Sequence, residues 1–323
     1  MTPVFGHDRE RDEILSAARA GRLHHGWIFA GPHGIGKASL ARQIALCLLA
    51  DGEQESMVAS SHPSAKLFEA GTHPDYAELR RLEKDNGDLA RNISVDQVRS
   101  LSRLLSTSSS VSKRRIILID AADDMERGAA NALLKSLEEP PRDTIFLLIS
   151  HSPSRLLPTI RSRCRMLRLS PLGSADMAAA LRQADPAMDE DEHHTLLRMG
   201  EGSPGRALAL AGLGIGDMVA ALERISQSGD PSNAERIALA KTLAIKSARP
   251  RYEAFLEQAP AYIATRAREL TGPALAEAIA AWEAARDLAM TAIPLSLDPA
   301  TTVFELCSHA ASLAEPENEH ALL

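Results

Sequence analysis

The sequence predicts an α/β module built on a parallel sheet and a phosphate loop, followed by a small helical segment and an all-helical C-terminal part. Three observations predict it. The apolar run Trp27-Ile-Phe-Ala30 leads straight into Gly31-Pro-His-Gly-Ile-Gly-Lys37, and the helical stretch Lys37–Leu49 then carries Leu40, Ile44 and Leu48 on one face. The apolar runs Ile116–Ile119 and Thr144–Ser150 alternate with helical segments, the βαβ pattern of a parallel sheet. After Pro171 the composition shifts and no strand pattern continues.

Each element has a local reason. Residues 1–25 read as a short amphipathic segment ahead of the first strand. Residues 51–75 are polar and read as irregular, ending in Gly71-Thr-His-Pro-Asp75, with a short strand at Tyr76–Leu79. Lys84–Asn92 is a charged loop. Ser94-Val-Asp-Gln97 is a capping box that opens a helix through Leu105, and Ser106–Ser110 is a loop. Arg127–Glu138 is a helix stopped by Pro140-Pro141. Arg165–Leu169 gives the last strand. Helices are expected at Ala175–Arg182, Asp191–Met199 and Pro204–Ala211, with Gly212–Gly216 as a hinge. Pro273 opens a later helix, on which Leu275, Ile279 and Trp282 share a face. The end, Ala314–Leu323, reads as a loose tail.

Composition limits the function classes. The 323 residues suffice for two or three domains, and 45% hydrophobic with 24% charged residues is ordinary for a folded soluble protein. A net charge of −7 opposes a protein that holds DNA alone, because phosphate neutralisation supplies most of that affinity. Aromatics at 3% oppose a base-stacking surface. Cys47, Cys164 and Cys307 are far apart, which suggests neither disulfides nor a zinc cluster and fits a reducing cytoplasm. Met1–Glu13 lacks an apolar signal core, and no apolar run reaches the length of a membrane span.

The phosphate loop is incomplete. Gly31, Gly34 and Gly36 allow backbone N–H groups to wrap a phosphate, and Lys37 supplies a point charge. The next position calls for a hydroxyl on Mg²⁺, and it is Ala38. Ser39 points about 100° further round the helix. Asp120, at a strand end, suits a metal water shell, but its neighbour is Ala121 where a hydrolase carries a water-polarising Glu. Asp123 and Asp124 are expected on a different face. The loop reads equally as a degenerate structural turn or as a residual nucleotide site; effective hydrolysis ranks below both.

Asn131-Ala-Leu-Leu-Lys-Ser-Leu-Glu-Glu-Pro-Pro141 is followed 21 residues later by Ser162-Arg163-Cys164. An Arg just ahead of a strand can project across an interface, where its planar fork suits phosphate oxygens, or can simply be solvated as most surface arginines are; the Ser-Arg-Cys context favours the first for Arg163. Arg206, in Gly202-Ser-Pro-Gly-Arg206, starts a helix; it reads equally as reaching a nucleotide or as making a local salt bridge. His73 is read as structural, and His24-His25 and His193-His194 as solvated pairs.

With Gly71–Asp75, Ile93–Arg99 and Leu157–Cys164, these segments resemble the delta-prime subunits of bacterial DNA polymerase III clamp loaders, within the AAA+ superfamily. The resemblance runs through most of residues 1–210. It implies an AAA+ α/β domain over 1–170, a helical lid over 171–212 and a helical collar for oligomerisation over 213–323. It implies a largely non-hydrolysing subunit whose Arg163 completes the ATP site of an adjacent ATPase subunit. Gly31, Gly34, Gly36, Lys37 and Asp120 map to the vestigial nucleotide site and Arg206 to the lid sensor. The implied partners are gamma/tau and delta subunits, with the sliding clamp and primed DNA met through the complex, in the cytoplasmic replisome and away from membranes. Many relatives carry a four-cysteine zinc module where residues 56–70 have no cysteine, so no zinc is expected; the retained Lys37 leaves weak ATP or ADP binding open. The rival readings are an ATPase active in its own right and an ATPase-type gamma/tau loader subunit.

Overall fold

A computed structural model describes residues 3–51, 57–84, 87, 89–105 and 109–314. Five strands form one parallel sheet: β1 (Gly26–Ala30), β2 (Tyr76–Arg80), β3 (Arg115–Asp120), β4 (Thr144–Ser150) and β5 (Arg165–Arg168), in the order β2-β3-β4-β1-β5. Every residue of β1 and β4 is buried. Strands covered on both faces need apolar side chains at every position, which is why they read as continuous apolar runs.

Alternation along the strands divides the core. Trp27 and Phe29 face one way, packing with Ile14, Leu40, Ile44 and Leu48 from helices α1 (Asp8–Arg19) and α2 (Lys37–Leu49). Ile28 and Phe146 face the other way, towards Leu101, Leu133, Leu137 and Ile160, borne by α4 (Val95–Leu105), α5 (Arg127–Glu138) and α6 (Pro158–Arg161). The expected capping box forms at α4: the Gln97 backbone N–H donates to Ser94 Oγ at 3.3 Å, and Gln97 Oε1 accepts from the Ser94 N–H at 3.0 Å.

One stretch differs from its sequence reading. Residues 51–75, expected to be irregular, contain helix α3 (Pro63–Glu69). Pro63 starts it, and His62 caps it by accepting the Ser64 N–H on Nδ1 at 3.1 Å. Histidine is not a favoured cap, so the signal was hidden. Residues 52–56 and 106–108, parts of the expected irregular stretch and loop, lie outside the described residues.

The chain divides into two compact units, residues 1–188 with 197–208, and residues 189–196 with 209–323. The first unit adds α7 (Ser174–Ala184) to the sheet module; α8 (Glu190–Met199) and α9 (Pro204–Leu210) each contribute to both units. The second unit holds α10 (Ile215–Ser228), α11 (Ala234–Leu243), α12 (Arg249–Ala267), α13 (Gly272–Ala292) and α14 (Pro299–Ala311). Arg236 ties it together: the guanidinium pairs with buried Asp230 at 3.3 Å, donates to Ser308 Oγ at 3.0 Å and lies over the Phe304 ring. Of the expected Gly212–Gly216 hinge, Gly212 and Gly214 have left-handed backbones, while Ile215 and Gly216 already belong to α10.

Helix α13 turns a different face inward from the one its large residues suggested. Its buried stripe is Ala278, Ala281, Ala285 and Ala292, whereas Ile279 is 43% exposed and half-buried Trp282 carries Arg286 across its ring. Small side chains admit close approach of α12 and α14, both of which pack on α13. His193, read as solvated, is buried. The expected tail lies outside the described residues beyond Ala314. Among the described residues no single helix is long and apolar enough to cross a membrane.

The loop entering β3 depends on Asp75. Its carboxylate, almost fully buried, accepts backbone N–H bonds from Ser110 at 2.7 Å and from Val111 and Ser112 at 2.8 Å. Burial pushes this carboxyl up, but the three N–H donors and nearby His73 outweigh it and hold it below its ordinary value. A depressed carboxyl stabilises the fold above its unfolded pKa, and that stability is lost as pH falls through the lower folded value. We therefore expect Asp75→Ala to cost about 2–4 kcal/mol in denaturant unfolding at neutral pH, and to remove part of the wild-type loss of stability below pH 4.

Candidate functional site

The phosphate loop leaves the C-terminal end of β1. Gly31 is required there because a Cβ would stand 2.4 Å from the Leu169 carbonyl oxygen. Gly34 and Gly36 have φ of 76° and 96°, the left-handed region that glycine alone enters without strain. Lys37 bends back into the loop, donating to the Gly31 carbonyl at 2.7 Å and also to that of Pro32. It is 3% exposed. Burial lowers its pKa to about 8, opposed by the charges of Asp123 and then Asp120. Asp123, expected on another face, therefore acts on Lys37 more strongly than Asp120 does. Its carboxylate accepts from Ser150 Oγ at 2.9 Å and from the His151 N–H, which fixes it at the end of β4.

Asp120 is engaged by a cation from its own chain. Arg42, on α2, donates to both Glu78 oxygens at 3.1 and 2.5 Å and reaches Asp120 at 3.3 Å. The Tyr76 hydroxyl completes the group by donating to Glu78 at 2.8 Å. Burial pushes the Glu78 carboxyl up, but Arg42 and Tyr76 more than offset it, so it lies below its ordinary value. Ala38 is half-buried and Ser39 is exposed. His33 and His151 flank the loop with ring centroids 4.6 Å apart, and burial together with Lys37 lowers the His151 pKa.

The Gly202–Arg206 segment closes over the loop. Ser203 Oγ donates to the His33 carbonyl at 2.9 Å, and the Gly205 N–H donates to the Gly34 carbonyl at 2.9 Å. Arg206 starts beside the loop, its N–H on Ser203 Oγ, but its guanidinium pairs with Glu201 at 2.7 Å. His73 sits in a different setting: buried, with Nδ1 accepting the Asp75 N–H at 3.2 Å.

Arg163 stands at the other end of β1. Trp27 pairs with Arg165, so Arg163 lies level with the start of β1, whereas the phosphate loop follows its end. β1 itself spans four strand steps, about 13 Å, and Arg163 and the loop lie beyond its two ends. The guanidinium is 34% exposed. Nη2 pairs with Glu138 at 2.7 Å, and Nη1 donates to the Thr159 carbonyl at 3.0 Å. The ion pair joins the Asn131–Pro141 motif to the Ser-Arg-Cys motif. Cys164 packs under β1: a Cβ on Gly26 would lie 2.8 Å from its sulfur. Burial pushes the thiol pKa up to about 12. The sequence singled out Arg163, Lys37 and Asp120 but not their partners Glu138, Arg42, Glu78 and Asp123; contacts between residues so far apart in sequence leave no local pattern.

Among the described residues, no three His, Cys, Asp or Glu side chains converge in a way that would hold a metal ion. The arrangement is a parallel-sheet module with its glycine loop closed on itself and a half-buried arginine at the opposite strand end. A profile of the family described as DNA polymerase III, delta subunit, matches residues 6–173. The chain belongs to that family. It is 40% identical over 191 residues to DNA polymerase III subunit delta' of Pseudomonas aeruginosa, covering 59% of this chain and 57% of the relative. It is 34% identical over 199 residues to subunit delta' of Escherichia coli, covering 62% and 58%. The matches thus span less than two thirds of these relatives' length. A gamma subunit-related protein of Thermotoga maritima superposes with a TM-score of 0.42 at 17% identity, over 93% of this chain and 99% of that one.

The contact of Gly205 with the loop gives a sharp expectation. In an open helix Gly→Ala stabilises by about 1 kcal/mol. Here the new methyl would stand 2.8 Å from Gly34 Cα, which is backbone and cannot step aside cheaply. We expect Gly205→Ala to destabilise by about 1–3 kcal/mol in thermal or urea unfolding; a gain in stability would contradict this packing.

Proposed function

We propose that this chain is the delta-prime subunit of a clamp loader, a scaffold that acts on a neighbour's ATP site instead of its own. Its partners on this reading are gamma/tau ATPase and delta subunits, and the assembly loads a sliding clamp on primed DNA in the cytoplasmic replisome. Residues 171–212 serve as the lid and 213–323 as the collar that joins the ring. Arg163 is the finger: placed against a γ-phosphate, it stabilises charge on the transferring group.

The observation that carries the reading is the separation of Arg163 from the chain's own phosphate loop. A guanidinium at the start of β1 is too far from that loop to serve it, and on this reading it exchanges Glu138 for the phosphate of another chain. The state of the loop supports the same conclusion. Lys37 already donates to loop carbonyls, Arg42 already holds Asp120, and Ala38 and Ala121 stand where a metal hydroxyl and a water-polarising carboxylate belong. Phosphoryl transfer relies on positioning and electrostatics, and both are deficient here. ATP or ADP binding is therefore weak, since phosphate has to displace the carbonyls from Lys37. Neither zinc nor another metal enters this reading.

The test is reconstitution with gamma/tau and delta subunits. Arg163→Ala is expected to lower DNA-stimulated turnover at the site it completes by about 10³-fold or more. Arg163→Lys is expected not to restore it, because an ammonium cannot reproduce the planar fork. Unchanged turnover, or brisk Mg²⁺-dependent hydrolysis by the purified chain alone, would overturn the assignment.

A further inference from the structure

The C-terminal end of α5 carries Lys135, Glu138 and Glu139. A carboxylate at that end opposes the helix dipole, so helix chemistry explains neither acid. Lys135 lies one turn before Glu138 and is the nearest cation in sequence, yet among the described residues it forms an ion pair with neither carboxylate. Glu139 is exposed and likewise enters no ion pair among the described residues. Glu138 instead reaches out of its own helix to Arg163, at 2.7 Å. The pairing is therefore selective: a distant arginine is taken and the local lysine is left.

The guanidinium is held from two sides. Nη2 faces Glu138, and Nη1 donates to the Thr159 carbonyl on α6 at 3.0 Å, which fixes its plane between α5 and α6. The backbone behind it is fixed too. The Arg163 N–H donates to the Ile160 carbonyl at 3.1 Å, and its own carbonyl and Cys164 lie close against Gly26 of β1. Only the side chain is left to move. The paired side chains are 34% and 49% exposed, so water screens the pair and rehydrates both groups when they part. A phosphate carries more charge than a carboxylate and offers its oxygens to the same planar fork, so it wins the guanidinium when it comes within reach.

We propose that Glu138 is a positioning residue that parks the Arg163 guanidinium and competes for it with the phosphate of the neighbouring chain. The inference rests on the trans role of Arg163. While the neighbour's site is empty, the finger stays neutralised against α5; a bound γ-phosphate draws it away. The strength of one screened ion pair then sets how much ATP the completed site needs, whereas turnover of the filled site depends on Arg163 itself.

Glu138→Gln keeps the shape of the side chain and its acceptor oxygen and removes the charge. In the complex reconstituted with gamma/tau and delta subunits, turnover at the completed site is measured against ATP concentration. Glu138→Gln is expected to lower the apparent KM for ATP by about two- to fivefold, the range set by a screened surface pair, and to leave kcat within about twofold. Glu139→Gln removes the same charge one residue away and is expected to change neither. In the Arg163→Ala background the Glu138→Gln shift in KM is expected to vanish. In the isolated chain, phenylglyoxal is expected to label Arg163 faster in Glu138→Gln than in the unaltered protein, with Arg161 as the internal reference in the mass spectrum. An unchanged KM in Glu138→Gln, an equal shift in Glu139→Gln, or an unchanged labelling rate would overturn the proposal. A fall in kcat at constant KM would overturn it as well, since Glu138 would then support the working pose of the finger instead of competing for it. Arg163→Ala without effect on turnover would refute the trans role and parking together. A severe loss in Arg163→Ala beside an unchanged KM in Glu138→Gln would refute parking alone.

Discussion

The close approach of β1 and the segment around β5 governs the chemistry of the first unit. Two glycines make it possible. At one end of β1, Gly26 leaves room for the Cys164 sulfur; at the other, Gly31 leaves room for the Leu169 carbonyl. A methyl group at either place would part β1 from its edge partner β5. Because both ends are held, the phosphate loop and Arg163 sit at fixed, opposite limits of one short strand. The division between a loop turned inward and an arginine turned outward follows from that spacing.

At the loop end the charged groups satisfy one another. Its lysine is spent on the carbonyls of Gly31 and Pro32, and its acidic residue on Arg42. Arg42 in turn is anchored by Glu78, which Tyr76 supports. Each buried charge has a partner, as burial demands. The Gly202–Arg206 segment then seals the loop tip through backbone contacts, so the site is closed by geometry as well as by charge.

Much of this was legible in the sequence, for a physical reason. Strands buried on both faces are apolar through their centres, so β1, β3 and β4 announce themselves, and the Ser94–Gln97 box marks its helix within a residue. The motif residues Gly31, Gly34, Gly36, Lys37, Asp120 and Arg163 were found because their spacing is local. What escaped depends on contacts across the fold. Glu138 meets Arg163 from another helix, and Asp123 approaches Lys37 because Ser150 and His151 hold it there. Helix α3 escaped because a histidine caps it. The inward face of α13 escaped because burial there selects for smallness, whereas pattern reading looks for bulk.

The burial of Cys164 has a chemical consequence for its neighbour. Burial pushes its thiol up to about 12, so the sulfur stays protonated at neutral pH. Oxidants and alkylating agents attack the thiolate, so this sulfur is close to inert despite lying one residue from an exposed arginine. A bulky adduct on it would wedge β5 away from β1 and carry the guanidinium with it.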